Sequence, residues 1–329
     1  MRNKKGLMVA GALLGSSAAL YYNYKKKQEL EYSRLSEIKE STASDMITPG
    51  CLVLEGGSLR GLYTAGVLDC LIDNDLNFQT TIGISAGAMM GANYHAGHRG
   101  RAGRFNLEYR NNIHYVGLGA EIENQSPFNF DFAFDDKNFN HPFDKDRLYS
   151  EKRNFYAGAT DVETGEAVYF NARECDDIFS AIRASASLPV ASKIVEVDGH
   201  KCLDGGCADP IPVKWAIDKG FDKIIVVRTR ERTFRKDVDD QRESIVVEQR
   251  YKKYPEYVEK MKKQHSHYNE QCDLVDKLEN EGRVFVLAPQ EPVNVGRLEG
   301  DLEKLGDLYF EGYDETNALI GKLKEYLAI

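Results

Sequence analysis

Residues 51–95 repeat one pattern twice: an apolar run, a glycine-rich turn, and a run with helical periodicity. The first run is "CLVLEGG", which is short and stopped by glycines, as is typical of a buried strand. From Gly61 to Asp73 the apolar residues recur at intervals of three and four, as on one face of a helix. The same order follows in "FQTTIGIS" and "AGAMMGANYHAG". Two such units in succession predict an α/β protein with a central, mostly parallel sheet.

Further strands and helices are predicted beyond this repeat. We expect two strands joined at Thr164-Gly165 in "NFYAGATDVETGEAVYFN", and a hairpin turning at Asp198-Gly199 in "KIVEVDGHKCLDGG". A helix ended by Pro189 is expected in "CDDIFSAIRASASLP". Buried strands are expected in "DKIIVVRTR" and "RVFVLAP".

These elements and the changes in composition divide the chain into four predicted regions. An apolar segment covers residues 1–24, and a polar linker covers residues 25–48. The α/β domain is predicted over residues 49–290 and carries a charged helical insertion at about 240–282. Residues 291–329 are predicted to be a C-terminal helical region, either one amphipathic helix or a pair.

The N-terminal segment has the features of a membrane anchor. The run from Gly6 to Tyr22 is uncharged, and its 17 residues are at the lower limit for a helix that spans a bilayer. The lysines at 25–27 follow it directly, which favours a retained anchor with the main domain on the cytoplasmic side. A cleaved signal peptide, with small residues at Ser17 and Ala19, is the alternative and would make the protein secreted. The polar segment after the anchor is expected to be a solvated helical stalk or a linker that ends near Pro49-Gly50.

The composition argues against several classes of function. A net charge of −9 argues against nucleic acid as a partner, because proteins that bind a polyanion normally present a basic face. The six cysteines form no C-x-x-C pair and have no partners at zinc-ligand spacing. Neither a disulfide framework nor a metal site is therefore expected. The sequence leaves the oligomeric state open.

The motif "GISAG", Gly83 to Gly87, matches the G-x-S-x-G pattern of a nucleophilic serine. It lies between a predicted strand and a predicted helix, where a sharp turn strains the serine and small neighbours let the chain pass. Such a turn exposes the Ser85 hydroxyl, and the helix N-terminus adds partial positive charge. A tight turn with a helix-capping serine is the alternative interpretation.

A nucleophilic serine needs a base, and "LDGG" supplies a candidate in Asp204. Gly205 and Gly206 would let this carboxylate approach another stretch of backbone closely. A buried carboxylate can act as a general base because burial raises its pKa toward the working pH. None of the seven histidines stands in a recognisable motif. For Asp204 taken alone, a plain turn is the alternative.

The loop "EGGSLRG" has the glycine spacing of a nucleotide-binding P-loop at Gly56 and Gly61. Leu62 and Tyr63 stand where a P-loop has lysine followed by serine or threonine. Ser58 interrupts the dinucleotide-binding pattern G-x-G-x-x-G. A nucleotide is therefore not expected as a ligand.

Four motifs together resemble those of the patatin-like phospholipase family over about residues 50–230: "EGGSLRG", "GISAG", "ASASLP" and "DGGCADPIPV". The resemblance implies a three-layer α/β sandwich, hydrolysis of lipid acyl esters, and no metal or other cofactor. It also implies that Ser85 is the nucleophile, within the elbow of Gly83 and Gly87, and that Asp204 is the base. For the glycine loop it implies backbone donors to the oxyanion, from the stretch that contains Gly56, Gly57, Ser58, Arg60 and Gly61.

These inferences predict a membrane-attached serine lipid acyl hydrolase that cleaves fatty acyl esters of phospholipids or neutral lipids. Arg60 is expected to steady the loop or to attract a lipid phosphate. The family usually has a third glycine where this chain has Ser58, which would lower activity if the position needs a positive φ. The alternative is therefore a non-catalytic lipid-binding or scaffold protein on a degraded hydrolase fold. The lipid class, acyl position and chain length are left open.

Overall fold

The computed structural model describes residues 31–134, 142–240 and 242–329. In these parts of the chain the strands are β1 (Ser41–Thr42), β2 (Thr48–Leu54), β3 (Phe78–Ile84), β4 (His98–Arg99), β5 (Asn154–Asp161), β6 (Ala167–Asn171), β7 (Val195–Val197), β8 (His200–Asp204), β9 (Ile224–Val227) and β10 (Phe285–Leu287). The helices are α1 (Gly61–Asp73), α2 (Ala86–His95), α3 (Arg101–Tyr109), α4 (Leu118–Asn124), α5 (Phe130–Phe134), α6 (Lys145–Leu148), α7 (Ile178–Ser185), α8 (Val213–Asp218), α9 (Arg242–Arg250), α10 (Pro255–Lys262), α11 (Gln264–Asn280) and α12 (Leu302–Leu327). Short 3₁₀ turns lie at Leu35–Glu37, Ser58–Arg60 and Gly205–Cys207.

Eight strands form one sheet in the order β10-β9-β2-β3-β5-β8-β7, with β6 paired to β5. The neighbours from β10 to β5 are parallel, whereas β6, β7 and β8 pair antiparallel. The predicted central, mostly parallel sheet is confirmed. Leu54 of β2 is in register with Gly83 of β3 and Val227 of β9, so these strands end at one edge. In open α/β sheets, ligand sites lie at this carboxyl edge.

Helices cover both faces of the sheet because its central strands are apolar on both sides. Leu52 and Leu54 of β2 belong to a core cluster that includes residues of α1, α2 and α12. Cys51 and Val53 belong to a second cluster that includes residues of α8 and α11. Successive side chains of a strand point to opposite faces, so one strand serves both clusters. The result is the helix–sheet–helix layering that the family resemblance implies.

The C-terminal region forms one long helix, α12, which packs along α1. Glycines bring the two helices close together. A Cβ on Gly66 would overlap the carbonyl oxygen of Tyr309, and one on Gly312 would overlap that of Tyr63. Tyr309 also donates its hydroxyl to the buried carboxylate of Asp69 at 2.7 Å. Of the two predicted arrangements, the structure has the single helix, and this helix belongs to the core.

The predicted helical insertion at about 240–282 contains α9, α10 and α11. Helix α11 is charged on its outer side, but Tyr268, Cys272 and Val275 are buried against the sheet. The helix therefore completes one of the two outer layers. The limits of the four regions stay predictions.

The polar segment before β2 is described from residue 31 onward, and there the expectation of a solvated helical stalk is wrong. Its one helical element is a 3₁₀ turn, and Tyr32, Leu35 and Ile38 are each at most 3% exposed. Ser33 donates its backbone N–H and its hydroxyl to the carboxylate of Glu303 in α12. Three apolar side chains spaced by three are enough to hold this otherwise polar stretch against the domain.

The predicted membrane anchor, residues 1–24, lies outside the described residues. Within the three described ranges, no helix combines the length and the apolarity that crossing a bilayer requires. The anchor therefore stays a prediction.

Candidate active site

Ser85 occupies the turn between β3 and α2, with φ 54° and ψ −121°. This positive φ is strained for a residue with a side chain, and the surrounding backbone imposes it. A Cβ on Gly87 would lie 2.5 Å from the carbonyl oxygen of Leu54, and one on Gly83 would overlap the carbonyl oxygen of Gly87. The two glycines of "GISAG" are thus needed because the turn is packed tightly on the end of β2.

Asp204 ends β8 and begins the turn formed by the two glycines that follow it. Its Oδ2 accepts a hydrogen bond from the Ser85 hydroxyl at 2.8 Å, and its Oδ1 accepts one from the backbone N–H of Gly206 at 2.8 Å. Gly205 is required for close approach, since a Cβ there would overlap the carbonyl oxygen of Gly158 in β5. The structure thus brings together the serine and the aspartate that the sequence singled out.

The environment of Asp204 suits a base. Ser85 is 7% exposed and Asp204 is 6% exposed. Burial, which disfavours the charged carboxylate, raises the pKa of Asp204 to about 6, while the hydrogen bonds from Gly206 and Ser85 oppose that shift. A carboxylate with this pKa is ionised at neutral pH, yet it is a stronger base than an exposed aspartate. Among the described residues, Asp204 is the side chain that contacts the Ser85 hydroxyl.

The segment at the end of α7 holds the backbone of Ser85 and Asp204 by hydrogen bonds, a role that was not predicted from the sequence. The Ser185 hydroxyl accepts a hydrogen bond from the Ser85 backbone N–H at 2.8 Å and donates to the Gly158 carbonyl at 2.6 Å. The Ser187 carbonyl accepts from the Asp204 backbone N–H at 2.8 Å. Both serines lie in "ASASLP", so the motif was the available signal, although it did not specify these contacts.

The glycine loop lies directly against the serine turn. A Cβ on Gly56 would be 3.0 Å from the Cβ of Ser85, and one on Gly61 would be 2.9 Å from the Cβ of Ala86. A Cβ on Gly57 would be 2.6 Å from Thr229 Oγ1. Bulk at any of these three positions would therefore push the loop away from the serine.

Ser58 has a φ of 50°, the left-handed conformation in which a glycine is favoured. The family usually has a glycine at this position, and the serine is expected to lower activity if the position needs a positive φ. Ser58 has such a positive φ in the structure. Holding a serine there costs on the order of 1–2 kcal/mol. The backbone nevertheless keeps the left-handed turn. Serine in place of glycine therefore has a conformational cost but does not displace the loop.

A buried carboxylate ties the glycine loop to the outer layer of helices. Glu55, directly before the loop, is 2% exposed. It accepts hydrogen bonds from the Tyr268 hydroxyl of α11 and from the Thr229 backbone N–H, both at 2.7 Å. Gln264 of the same helix donates to the carbonyl of Gly206, two residues after Asp204. No sequence signal pointed to these contacts, because they join segments that are far apart in the chain.

Ser85 lies between two cavities of different character. On one side is a narrow apolar pocket of about 30 Å³, whose lining includes Met89, Met90, Tyr115, Phe128 and Phe130. On the other side is a polar cavity of about 450 Å³, whose lining includes Asp204, Arg60, Arg230, Lys236 and Arg297. Both cavities reach Ser58, Ser85 and Leu188. An ester bound across the serine could therefore have its acyl and alcohol parts in different surroundings.

Comparison with protein families matches residues 52–217, just over half of the chain, to the family described as patatin-like phospholipase. The chain belongs to the patatin-like phospholipase family. Membership supports lipid ester hydrolysis as the class of activity. Residues 254–328 match a second family, described as a domain of unknown function, DUF6363. That match contains α11 and α12, which pack on the patatin-like part through Tyr268 and Tyr309.

Two individual proteins show how far the likeness extends. The "Uncharacterized protein YjjU" of Escherichia coli (strain K12) is 30% identical over 183 residues, which are 54% of this chain and 51% of that protein. The chain thus aligns with about half the length of this relative. The crystal structure of VipD from Legionella pneumophila matches with a TM-score of 0.45 and 12% identity, over 89% of this chain and 69% of that one.

Two other histidines of this patatin-like chain have defined polar partners. His200 Nδ1 is hydrogen-bonded to Asp161 Oδ2 at 2.6 Å, and His200 lines neither of the two cavities at Ser85. His265 lines the polar cavity with its Nδ1 on the Asp237 carbonyl. Within the described parts of the chain, no group of three or more His, Cys, Asp or Glu is arranged to hold a metal ion.

Proposed function

We propose that this chain is a serine lipid acyl hydrolase that cleaves fatty acyl esters with Ser85 as nucleophile and Asp204 as base. The observation that carries the proposal is the 2.8 Å hydrogen bond from the Ser85 hydroxyl to Asp204 Oδ2, at a strained turn beside the glycine loop. Membership in the patatin-like phospholipase family supports the lipid ester as substrate.

In the first half of the reaction, Asp204 takes the proton of the Ser85 hydroxyl while the serine oxygen attacks the ester carbonyl. The tetrahedral intermediate then collapses, the alcohol leaves with the proton held by Asp204, and an acyl-serine remains. In the second half, water attacks the acyl-serine and gives its proton to Asp204. The fatty acid leaves, and the proton returns to the serine oxygen, which restores both residues.

The negative oxygen of the intermediate requires hydrogen-bond donors in place before the reaction. We assign this role to backbone N–H groups of the loop at Gly57 and Ser58, which reaches the same cavity as Ser85. Each such donor contributes about 3–4 kcal/mol to lowering the barrier in a comparable hydrolase. The anchoring of Glu55 by Tyr268 and Thr229 would keep these donors aligned.

The two cavities beside Ser85 divide the proposed substrate. The apolar pocket lined by Met89, Met90 and Phe128 suits the fatty acyl chain, and the polar cavity suits the alcohol part with its headgroup. The apolar pocket is narrow, so a long acyl chain needs the flexible methionines to move.

A chemical probe distinguishes a hydrolase from a non-catalytic lipid-binding protein on the same fold. We expect a fluorophosphonate to label the purified chain on the peptide that contains Ser85, and fatty acid to appear when the chain is mixed with total membrane lipids. Labelling would be read by mass spectrometry and fatty acid release by lipid analysis. A folded chain that binds vesicles but is neither labelled nor releases fatty acid would support the scaffold alternative instead.

We further propose that α4 contacts the membrane surface. Leu118 and Ile122 are one helical turn apart and are 72% and 74% exposed, a large apolar exposure for a short helix. Tyr115 and Phe128, on either side of α4 in the chain, line the apolar pocket. Lipid contact at this helix would therefore place the pocket near the acyl chains of the bilayer.

The double substitution Leu118→Ser/Ile122→Ser is expected to lower hydrolysis of vesicle phospholipid about tenfold relative to hydrolysis of a soluble nitrophenyl ester. A tenfold loss is about 1.4 kcal/mol, which corresponds to partial burial in the membrane of two side chains whose complete burial would contribute about 1.5–3 kcal/mol each. Cosedimentation with vesicles should weaken in parallel. A matched control is Met46→Ser/Ile47→Ser, which removes exposed apolar surface at the opposite edge of the sheet, where β2 begins. Equal effects of both pairs would contradict the proposed surface.

A further inference from the structure

Although the negative charge of Glu55 attracts it, the Arg60 guanidinium in the polar cavity forms an ion pair with no carboxylate in the described parts of the chain. Among the described residues its side chain makes neither a hydrogen bond nor an ion pair, and its Nε is buried without an acceptor. Burial lowers the pKa of Arg60 to about 10, and the positive charge of Arg230 adds to this effect. The side chain is therefore a charged donor that faces a solvent-filled cavity with unused hydrogen-bonding capacity.

Arg230 is a second cation of this kind in the same cavity. Its Nη1 donates to the Val293 carbonyl at 2.6 Å, and its guanidinium lies 4.7 Å from the centre of the Phe234 ring. Its Nε is buried without an acceptor, and no described carboxylate forms an ion pair with it. Contacts with Val293 and Phe234 fix the guanidinium plane, and neither contact supplies a negative charge.

Several other charged groups around the cavity have interactions within the protein. Arg235 pairs with Asp273 and Asp276, and Lys236 lies over the Tyr268 ring. Arg297 and the carboxylates Asp237 and Asp240 also line the cavity. Glu55 and Asp204 are held by Tyr268 and Ser85. Those donors are neutral, so Glu55 still attracts Arg60 electrostatically, but among the described residues neither Arg60 nor Arg230 has a carboxylate at ion-pair distance that would compete with a bound anion.

Arg60 and Arg230 line the same cavity and repel each other, so both would gain from an anion that lies between them. Arginine binds phosphate with paired N–H donors, and such charge-assisted hydrogen bonds are about twice as strong as neutral ones. A cavity of about 450 Å³ has room for a glycerol phosphate headgroup. A trimethylammonium group, in contrast, would bring a third positive charge toward this pair.

We propose that Arg60 and Arg230 bind one phosphate group, and that through them the chain selects phospholipids with net negative headgroups over zwitterionic ones. The proposal rests on the proposed lipid hydrolase function. It goes beyond that function because it assigns the headgroup a site and a charge. In the bound ester, the phosphate would lie on the polar side of Ser85 and the acyl chain on the apolar side.

The test compares phosphatidylglycerol with phosphatidylcholine of the same acyl chains in mixed micelles of an uncharged detergent. For the wild type we expect kcat/KM to be about tenfold higher for phosphatidylglycerol. Arg230→Gln should reduce this ratio at least about fivefold. Arg283→Gln is the matched control, because Arg283 binds the Phe221 and Asp222 carbonyls before β9, at the opposite edge of the sheet. The control should keep the wild-type ratio.

Further experiments distinguish a lipid phosphate from free phosphate as the ligand. They also test binding in a variant that cannot catalyse the reaction. With Ser85→Ala, binding to phosphatidylglycerol micelles should exceed binding to phosphatidylcholine micelles, and Arg230→Gln in that background should remove the difference. If millimolar inorganic phosphate alone abolishes the difference and raises the melting temperature, the site binds free phosphate instead. Equal binding of both lipids would overturn the headgroup proposal. Absence of hydrolysis with selective binding intact would overturn only the hydrolase.

Discussion

If Ser85 is the nucleophile as proposed, replacing it with alanine is expected to lower ester hydrolysis by about 10⁴-fold or more, as in serine hydrolases that lose their nucleophile. The variant should fold normally because alanine keeps the Cβ, and the Ser85 backbone N–H still donates to Ser185. The lost side-chain contact is the one to Asp204. Initial rates on a nitrophenyl butyrate and fatty acid release from phospholipid, together with thermal melting, measure these two effects separately.

The matched control is Ser150→Ala, since the Ser150 hydroxyl accepts a hydrogen bond from the Lys152 N–H and lies outside both cavities. It should keep the wild-type rate. Ser85→Ala protein that melts like the wild type and retains more than about a hundredth of the activity would show that another group is the nucleophile.

The parts of the fold that could be predicted from sequence are those in which local pattern and tertiary environment agree. The strand–turn–helix units around Gly57 and Ser85 follow from apolar periodicity and glycine placement over a few residues each. The segment containing Tyr32 and Leu35 could not be recognised in the same way. Its burial depends on a surface of α12 that is formed by residues 270 to 275 positions away.

At the candidate active site, too, the residues that could be predicted are those that lie in a recognisable local motif. Ser85 and Asp204 could be proposed because each lies in a short motif whose glycines have a steric purpose, which the overlaps at Gly87 and Gly205 make explicit. Tyr268 could not, because it occupies one face of a charged helix and its importance comes from the acceptor at Glu55. Roles that depend on long-range pairing leave no local signal.

The glycine loop joins the predicted chemistry to the proposed headgroup selection. A P-loop lysine would bring a fixed positive charge to a bound phosphate. Here Arg60, within the loop itself, is proposed to bring that charge. Gly57 and Ser58 of the same loop are proposed to face the reacting carbonyl. The left-handed Ser58 shows that the loop holds its shape without the third glycine. One loop could thus serve both the transient oxyanion and the permanent phosphate.

Asp204→Asn is the second substitution expected to have a very large effect, about 10³-fold or more on kcat/KM. Asparagine fills the same space but cannot take the Ser85 proton, and among the described residues Asp204 is the side chain that accepts a hydrogen bond from that hydroxyl. The matched control is Asp209→Asn, in the same stretch of chain. Asp209 is also buried, but it binds Tyr169 and Gln271 and does not line the cavity of Ser85. It should lose less than about tenfold.

The raised pKa of Asp204 gives this prediction a distinct pH signature. Only the ionised carboxylate is a base, so with a pKa of about 6 the wild-type kcat/KM should be about tenfold below its plateau at pH 5. The unfolded chain ionises this group near pH 3.9, so the cost of burying its charge is absent below that pH and complete above about 6. Asp204→Asn should therefore gain melting temperature relative to the wild type more at pH 7.5 than at pH 4.5. A variant that loses activity but shows no such pH-dependent gain would mean that Asp204 is not buried as a charged base.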